Sequence, residues 1–140
     1  MDEDDVRRAS QRFYQAVNSI LGGDAAPMLA IWSRADDTTY CDTRGEIQRG
    51  WAGLEGYWRP AAERNAGAEA KLTTTAREQA MYATAALAYT VMIEEVRQSD
   101  GTFVLEARAT NVYRREGGEW HVVHRHADAP PRTAPQSQGG

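Results

Sequence analysis

The sequence predicts an α+β domain in which N-terminal helices cover one face of a curved antiparallel sheet, giving a cone-shaped molecule with a hollow between the layers. The first half of the 140-residue chain has apolar residues at helical spacing, and the second half has alternating segments separated by turn residues. We interpret residues 1–127 as one domain and residues 128–140, rich in Pro, Ser, Gln and Gly, as a disordered tail. The hollow is where we expect a small molecule to bind.

Three helices are predicted in the first half of the chain. Apolar residues recur at helical spacing up to Leu21, where Gly22 and Gly23 end the first helix. Asp24 is a suitable N-cap for a second, shorter helix. A brief strand and a turn at 43–45 precede the third helix. The predicted bounds are 5–21, 24–32 and 50 to about 65 for the helices and 38–41 for the strand.

Four strands are predicted in the second half. Turn residues at 99–101 and 116–118 separate segments whose apolar residues alternate, which is typical of antiparallel hairpins. We therefore expect a four-stranded meander. The predicted strands are 71–77, 82–96, 103–114 and 119–127.

Composition excludes several classes of function. The net charge is −4, and no basic stripe with interleaved aromatic residues indicates nucleic-acid binding. No apolar run approaches the roughly 20 residues that span a bilayer, and the acidic N-terminus is unlike a secretory signal, so a cytoplasmic location is predicted. Cys41 is the single cysteine, which excludes a disulfide framework and indicates a small buried side chain. Lys71 is the single lysine among many arginines, a bias typical of GC-rich bacterial genomes.

The C-terminal part of the chain resembles a known family. Residues 108–115 (RATNVYRR) followed by 118–126 (GEWHVVHRH) resemble the SnoaL-like domain family of the nuclear transport factor 2-like superfamily. The same ending is similar to the association domain of calcium/calmodulin-dependent kinase II. The helix-Gly-Asp-helix-strand opening also matches, so the resemblance covers about residues 5–127. It implies a nuclear transport factor 2-like fold with a ligand pocket and a homodimer formed through the outer face of the sheet.

Relatives of this kind include ketosteroid isomerases, and one local match points to their catalytic residues. The segment 39–45 (TYCDTRG) resembles the isomerase segment that carries the base, at the position of Asp42. Tyr14 matches the tyrosine that stabilises the oxyanion. A carboxylate at a strand end that faces an apolar hollow is partly desolvated, which raises its pKa and strengthens it as a base. The alternatives are that Asp42 only begins the turn at Thr43 and that Tyr14 packs in the core beside Phe13.

Other polar residues are candidates for the pocket. Asn111 occupies the position at which the kinase association domain has an arginine facing its pocket, and the change to asparagine argues against an anionic ligand. Arg108 can bind a carboxylate or oxyanion, or alternatively pair with Glu106 or Glu94. The isomerase pattern also includes a protonated carboxylic acid from the sheet, for which Glu94, Glu95 and Glu106 are candidates by residue type.

Two histidines lie near the end of the last predicted strand. Because side chains alternate along a strand, His124 and His126 are expected to share a face with Trp120 and Val122. They are predicted to be pocket walls or dimer-interface residues. Two histidines at this spacing can chelate a metal, but no third ligand with matching spacing is evident, so no metal site is predicted.

Large aromatic side chains are numerous for a domain of this size. Their broad surfaces and polar tips fit a cavity for a flat, mostly apolar ligand, although any one of them can pack in the core instead. The predicted pocket aromatics are Trp32, Tyr40, Tyr57, Trp58 and Tyr89.

These patterns support two hypotheses of different classes. The first is an isomerase, cyclase or dehydratase that works without a cofactor, by proton transfer on a carbonyl-containing cyclic or polyketide-like compound, with Asp42 as base and Tyr14 as oxyanion donor. The second is a ligand-binding or dimerising module of the same fold without chemistry. They differ in whether Asp42 and Tyr14 face one shared hollow.

Overall fold

A computed structural model describes residues 2–130 and contains three helices on one face of a six-stranded sheet. The helices are α1 (Asp2–Leu21), α2 (Ala26–Ile31) and α3 (Gly50–Ala66). The strands are β1 (Thr39–Cys41), β2 (Ile47–Arg49), β3 (Leu72–Ala83), β4 (Leu87–Gln98), β5 (Phe103–Glu116) and β6 (Glu119–Asp128). The predicted α+β class with a curved sheet is confirmed, and the sheet is antiparallel except where β1 pairs with β6.

The strand order in the sheet is β2-β1-β6-β5-β4-β3. Strands β3 to β6 form the predicted antiparallel meander. Beyond β6, the short β1 pairs in parallel with β6, and β2 pairs antiparallel with β1. We did not predict β2, which is only three residues long.

The first hairpin of the meander turns at a place that the sequence did not mark. We predicted one strand over 82–96, but β3 ends at Ala83 and β4 begins at Leu87. The backbone N–H and the hydroxyl of Thr84 both donate to the carbonyl of Leu87, at 2.9 and 2.8 Å. The intervening residues include no Gly, Pro, Asn or Asp, so the usual turn residues are missing. The single-strand prediction was therefore wrong.

Helix α1 supplies the wall of the core opposite the sheet. Its buried residues Val6, Ala9, Phe13, Ala16 and Ile20 recur every three or four positions, which places them on one face. That face contacts β3, α2 and α3. Four acidic residues in the first turn favour the helix because carboxylates interact well with its N-terminal dipole.

A β-bulge interrupts the alternation of β6. Tyr113 of β5 is paired with Val122, whereas the preceding residue Val112 is paired with His124. Val123 is therefore an extra residue in β6. A bulge of this kind reverses the faces of all later side chains relative to a regular strand.

The bulge overturns our prediction for the histidines. Trp120 and Val122 face the helices and are buried. After the bulge it is Arg125 that is buried on that side, with 5% of its surface exposed. His124 and His126 lie on the outer face, so the prediction that they share a face with Trp120 and Val122 was wrong.

Among residues 2–130, no helix is both long and apolar enough to cross a membrane. We predicted a tail over residues 128–140. Asp128 is the last residue of β6, and residues 131–140 lie outside the described residues.

Candidate functional site

A hollow of about 260 Å³ lies between α1 and the β3–β4 hairpin. Two of its lining residues, Arg7 of α1 and Glu78 of β3, form an ion pair with an N–O distance of 3.0 Å. Tyr14 lines the hollow from the middle of α1. The full lining is Arg7, Ser10, Gln11, Tyr14, Ala76, Glu78 and Met92.

Behind Tyr14, four side chains from α1, β4, β5 and β6 form a closed hydrogen-bonded ring. The Tyr14 hydroxyl donates to Glu94 Oε2 at 2.6 Å. Arg125 donates to both carboxylate oxygens of Glu94, at 2.7 and 2.9 Å. It also donates to Asn111 Oδ1 at 3.0 Å, and Asn111 Nδ2 donates to the Tyr14 oxygen at 3.1 Å. We call these four residues the polar ring.

Arg125 and the ionised carboxylate of Glu94 together fix the direction of every bond in the polar ring. A guanidinium has only donors, so Asn111 must turn its carbonyl oxygen toward Arg125. The amide nitrogen of Asn111 then points to Tyr14. An ionised carboxylate only accepts hydrogen bonds, so the Tyr14 proton is directed at Glu94.

In the polar ring, Glu94 and Arg125 are ionised and Tyr14 is neutral. Burial raises the pKa of the Glu94 carboxyl, but the charge and hydrogen bonds of Arg125 and the hydrogen bond from Tyr14 outweigh it, so the net pKa lies below the usual range. Burial, together with the Glu94 charge, raises the pKa of Tyr14, which therefore stays protonated. The guanidinium of Arg125 also lies over the rings of Phe13 and Tyr40, at 5.1 and 5.6 Å.

The sequence identified three of these four residues as candidates. Tyr14 and Asn111 came from the resemblance, and Glu94 was a candidate by residue type. Arg125 was missed because strict alternation predicts the opposite face for it. The consecutive apolar residues Val122 and Val123 break the alternation of β6 and were the sequence signal for the bulge.

Most of the predicted pocket aromatics fill the core rather than line the hollow. Tyr40 stacks on Trp58 at 5.3 Å, meets Tyr57 edge-on at 5.1 Å, and lies 6.1 Å from Trp32, all measured between ring centroids. Trp32, Tyr40 and Trp58 belong to the main buried cluster, and Tyr57 packs against it. None of these four residues lines the hollow beside Tyr14.

Asp42 is buried in the turn between β1 and β2, with 1% of its surface exposed. Its Oδ1 accepts the backbone N–H groups of Arg44 and Glu46 at 2.9 and 3.0 Å. Burial raises the pKa of Asp42, but these hydrogen bonds, with weaker contributions from Gln48 and the Arg44 charge, bring it below the usual range. The predicted rise in its pKa was therefore wrong, because the turn stabilises the charged form.

The outer face of the sheet carries four of the predicted pocket residues, which are Tyr89, Arg108, His124 and His126. The ring Nδ1 of His124 is 2.7 Å from the Thr39 hydroxyl. Burial, and then the charge of His126, lower the pKa of His124. The partner of Glu94 is Arg125, so our alternative pairing of Glu94 with Arg108 was wrong. Within residues 2–130, no three potential metal ligands converge.

The outer face also carries a shallow apolar depression of about 520 Å³ at the β3–β4 end. Tyr82 and Tyr89 stack there with ring centroids 6.1 Å apart, and both are exposed. Its lining is Tyr82, Thr84, Leu87, Ala88, Tyr89, Val91, Thr110 and Val112. We call this surface the outer patch.

Comparison with protein families gives a match to the SnoaL-like domain over residues 6–131. A comparison with curated proteins found none that matches. The family match confirms the resemblance predicted from the sequence.

Among solved structures, the fold is similar to several bacterial proteins. A putative calcium/calmodulin-dependent protein kinase type II association domain from Thiobacillus denitrificans is 26% identical, with a TM-score of 0.74 over 88% of this chain and 93% of that one. A nuclear transport factor 2-like protein of unknown function from Pseudomonas putida is 24% identical, with a TM-score of 0.78 over 96% and 90%. A putative dehydratase from Streptomyces avermitilis is 19% identical, with a TM-score of 0.74 over 94% and 98%.

Proposed function

Since the chain belongs to the SnoaL-like domain family, we propose that it is a ligand-binding protein whose small-molecule ligand occupies the hollow between α1 and the β3–β4 hairpin. The observation that carries this proposal is the polar ring directly behind that hollow. A buried ion pair such as Glu94–Arg125 rarely stabilises a fold more than apolar packing of the same volume would. A role in recognition accounts for its position beside a cavity.

The charges around the hollow favour a neutral, mostly apolar ligand. Arg125 is compensated by Glu94, and Arg7 is compensated by Glu78. The remaining lining combines the apolar Ala76 and Met92 with a few polar groups. Among residues 2–130, no uncompensated cation lines the hollow to attract a carboxylate or a phosphate.

Filling the hollow tests the proposal. Ala76→Phe adds a ring to a lining residue of a cavity of only 260 Å³, and we expect it to weaken binding of small neutral probes such as cyclohexanol at least tenfold. Ala80→Phe is the matched control, since Ala80 is an exposed residue of the same strand outside the hollow. Titration of the isotope-labelled protein followed by NMR measures both. Equal binding by wild type and Ala76→Phe would place the ligand elsewhere.

The second candidate function is the proton-transfer enzyme predicted from the resemblance. It is favoured by Tyr14, which lines the hollow and whose hydroxyl donates to a carboxylate at 2.6 Å, and by the similarity to a putative dehydratase. In this candidate Asp42 removes a proton next to a carbonyl and Tyr14 donates to the resulting oxyanion. The lowered pKa of Asp42 makes it a weaker base than the sequence suggested.

Exchange of the α-hydrogens of cyclohexanone in D₂O separates the two functions without knowledge of the substrate. We expect exchange at the buffer rate with wild type and with Asp42→Asn, because Asp42 Oδ1 is held by two backbone N–H groups of its own turn. NMR integration of the α-hydrogens measures the rate. Acceleration by wild type that Asp42→Asn abolishes would establish the enzyme instead.

The outer patch is the surface through which we propose that two copies associate. Exposed Tyr82, Leu87 and Tyr89 give it an apolar character that is unusual for a free sheet face. The family resemblance implies a dimer through this side of the sheet. Pairing of two copies would cover these side chains.

A charge in the outer patch is expected to dissociate the dimer. Val91→Arg places a cation among the half-buried residues of this surface, which opposes burial of the patch without changing the helix-side core. Sedimentation velocity should show a dimer for wild type and a monomer for the variant. Val104→Arg, at an exposed position outside the patch, is the control and should remain dimeric. A monomeric wild type would refute the proposed assembly.

A further inference from the structure

The edge strand β3 directs alternate peptide groups away from the sheet, toward α1. In an antiparallel pair, the N–H and C=O of one residue point to the same side, and successive residues alternate. Thr74 points to the open side, because its N–H donates to Asn18 Oδ1 at 2.8 Å and its C=O accepts from Asn18 Nδ2 at 3.0 Å. Lys71 points to the β4 side, since its C=O accepts from the backbone N–H of Ser99. Even-numbered residues at the start of β3 therefore turn their peptide groups to the open side.

Ala76 is the next residue with this orientation, and it lines the hollow. The alternation is unbroken between Thr74 and Ala76, because the β-bulge of β3 comes only after Glu78. No side chain among residues 2–130 bonds to the N–H or the C=O of Ala76. A backbone donor and a backbone acceptor, held side by side, therefore face the space between β3 and α1.

We propose that the ligand carries an amide whose N–H and C=O lie on the same side, as in a primary carboxamide or a lactam, and that this amide pairs with the N–H and C=O of Ala76. The side-chain amide of Asn18 makes the same pairing with Thr74, two residues away. The inference rests on the proposed function, since it assumes that the hollow is the ligand site. It assigns a neutral class of ligand, which suits the compensated charges around the hollow.

The paired donor and acceptor of Ala76 favour such an amide over other small polar groups. A ketone accepts from the Ala76 N–H but leaves the C=O without a donor. A carboxylate places its second oxygen against the Ala76 carbonyl oxygen, which repels it. A trans secondary amide directs its N–H and C=O to opposite sides, so it engages only one of the two backbone groups.

Two ring compounds of equal size test the pairing. 2-Piperidone is a six-membered lactam with N–H and C=O on the same side, whereas cyclohexanone has only the acceptor. We expect the full-length protein to bind 2-piperidone about twofold to tenfold tighter than cyclohexanone, the range that one additional net hydrogen bond supplies. NMR titrations of the isotope-labelled chain measure both dissociation constants.

The same titrations report on the backbone group itself. When 2-piperidone binds, the amide proton signal of Ala76 should move downfield and its exchange with solvent should slow. The Thr74 amide is the internal control, because its hydrogen bond to Asn18 is present with and without the probe.

Variants of the neighbouring side chains separate the backbone from the other polar groups of the hollow. Each variant removes one polar side chain of the lining, and each should keep the wild-type ratio of the two dissociation constants. The variants are Ser10→Ala, Gln11→Leu, Tyr14→Phe and Glu78→Leu.

Ala76→Pro removes the backbone donor. The Ala76 N–H points away from β4, and proline is tolerated in an edge strand at such a position. We expect this variant to fold and to bind the two probes equally, although the added ring weakens binding of both. Thr75→Pro is the matched control, because it removes an N–H that points to β4 and should destabilise the protein far more in urea denaturation. The wild-type ratio and the Ala76 amide signal are decisive by themselves if Ala76→Pro does not fold.

The outcomes distinguish the inference from the proposed function. The inference is overturned, while the hollow remains the ligand site, by any of three results: equal binding of the two probes by wild type, a lactam preference that disappears in one of the side-chain variants, or a preference that survives in folded Ala76→Pro. An Ala76 amide signal that does not respond to 2-piperidone overturns it as well. Absence of binding by either probe to wild type overturns the proposed function itself, and the inference with it.

Discussion

Glu94→Gln is expected to destabilise the folded protein by about 3–5 kcal/mol at neutral pH, the usual cost of removing one partner from a buried ion pair. The amide is nearly isosteric with the carboxylate, so packing is preserved while the charge is lost. Arg125, which is 5% exposed, is then left without a counter-ion. Since arginine does not deprotonate in proteins, the charge cannot be relieved by titration. Urea denaturation measures the change.

The double variant Glu94→Leu/Arg125→Met is the control for this prediction. It removes both charges and replaces them with apolar side chains, a change that is often neutral or stabilising. We expect it to recover most of the stability lost in Glu94→Gln. If Glu94→Gln were as stable as wild type, Arg125 would have another source of compensation and the polar ring would not depend on this pair.

The same residue makes wild-type stability depend on pH in a definite direction. The folded-state pKa of Glu94 is lowered below the ordinary glutamate value of 4.5 by the charge and hydrogen bonds of Arg125, so its contribution is fully present above about pH 4.5 and is lost as the pH falls through the folded-state value. The difference in unfolding free energy between wild type and Glu94→Gln should therefore shrink as the solution is acidified below this point. A constant difference would show that the pKa of Glu94 is the same in the folded and unfolded states, so that the polar ring does not stabilise its charge.

The fold was predictable because its main features depend on local patterns. The spacing of apolar residues in α1 and the glycine turns at 99–101 and 116–118 each indicated an element independently. The β3–β4 turn was missed because Thr84 organises it through its own hydrogen bonds, without glycine or proline. Strand β2 exists through its pairing with β1, a tertiary contact that its three residues do not encode alone.

The candidate site was less predictable because it depends on register. Whether Arg125 faces the helices or the outside is decided by one extra residue, Val123. The pKa shift of Asp42 was also not predictable from the sequence. A carboxylate near a strand end was correctly placed in a turn region, but the sign of its pKa shift depends on backbone N–H groups that the sequence does not position.

Tyr40 and Tyr89 were both predicted as pocket residues, and their truncation to alanine should give very different results. Tyr40 is 4% exposed and contacts three other aromatic rings as well as the Arg125 guanidinium. We expect Tyr40→Ala to cost about 3–5 kcal/mol of unfolding free energy, as for other large buried aromatic residues. Tyr89 is 41% exposed on the opposite face, and Tyr89→Ala should cost no more than about 1 kcal/mol in the monomer.

Thermal and urea unfolding of both variants, with Tyr40→Phe as the conservative control, test whether the aromatic cluster is a closed core. Tyr40→Phe keeps the ring stacked on Trp58 and should lose far less than the alanine variant. A small loss for Tyr40→Ala would mean that the cluster is loosely packed and can open to admit a ligand. In that case the ligand space would extend from Tyr14 past Arg125 toward Asp42, and the proton-transfer candidate would regain the shared hollow that it requires.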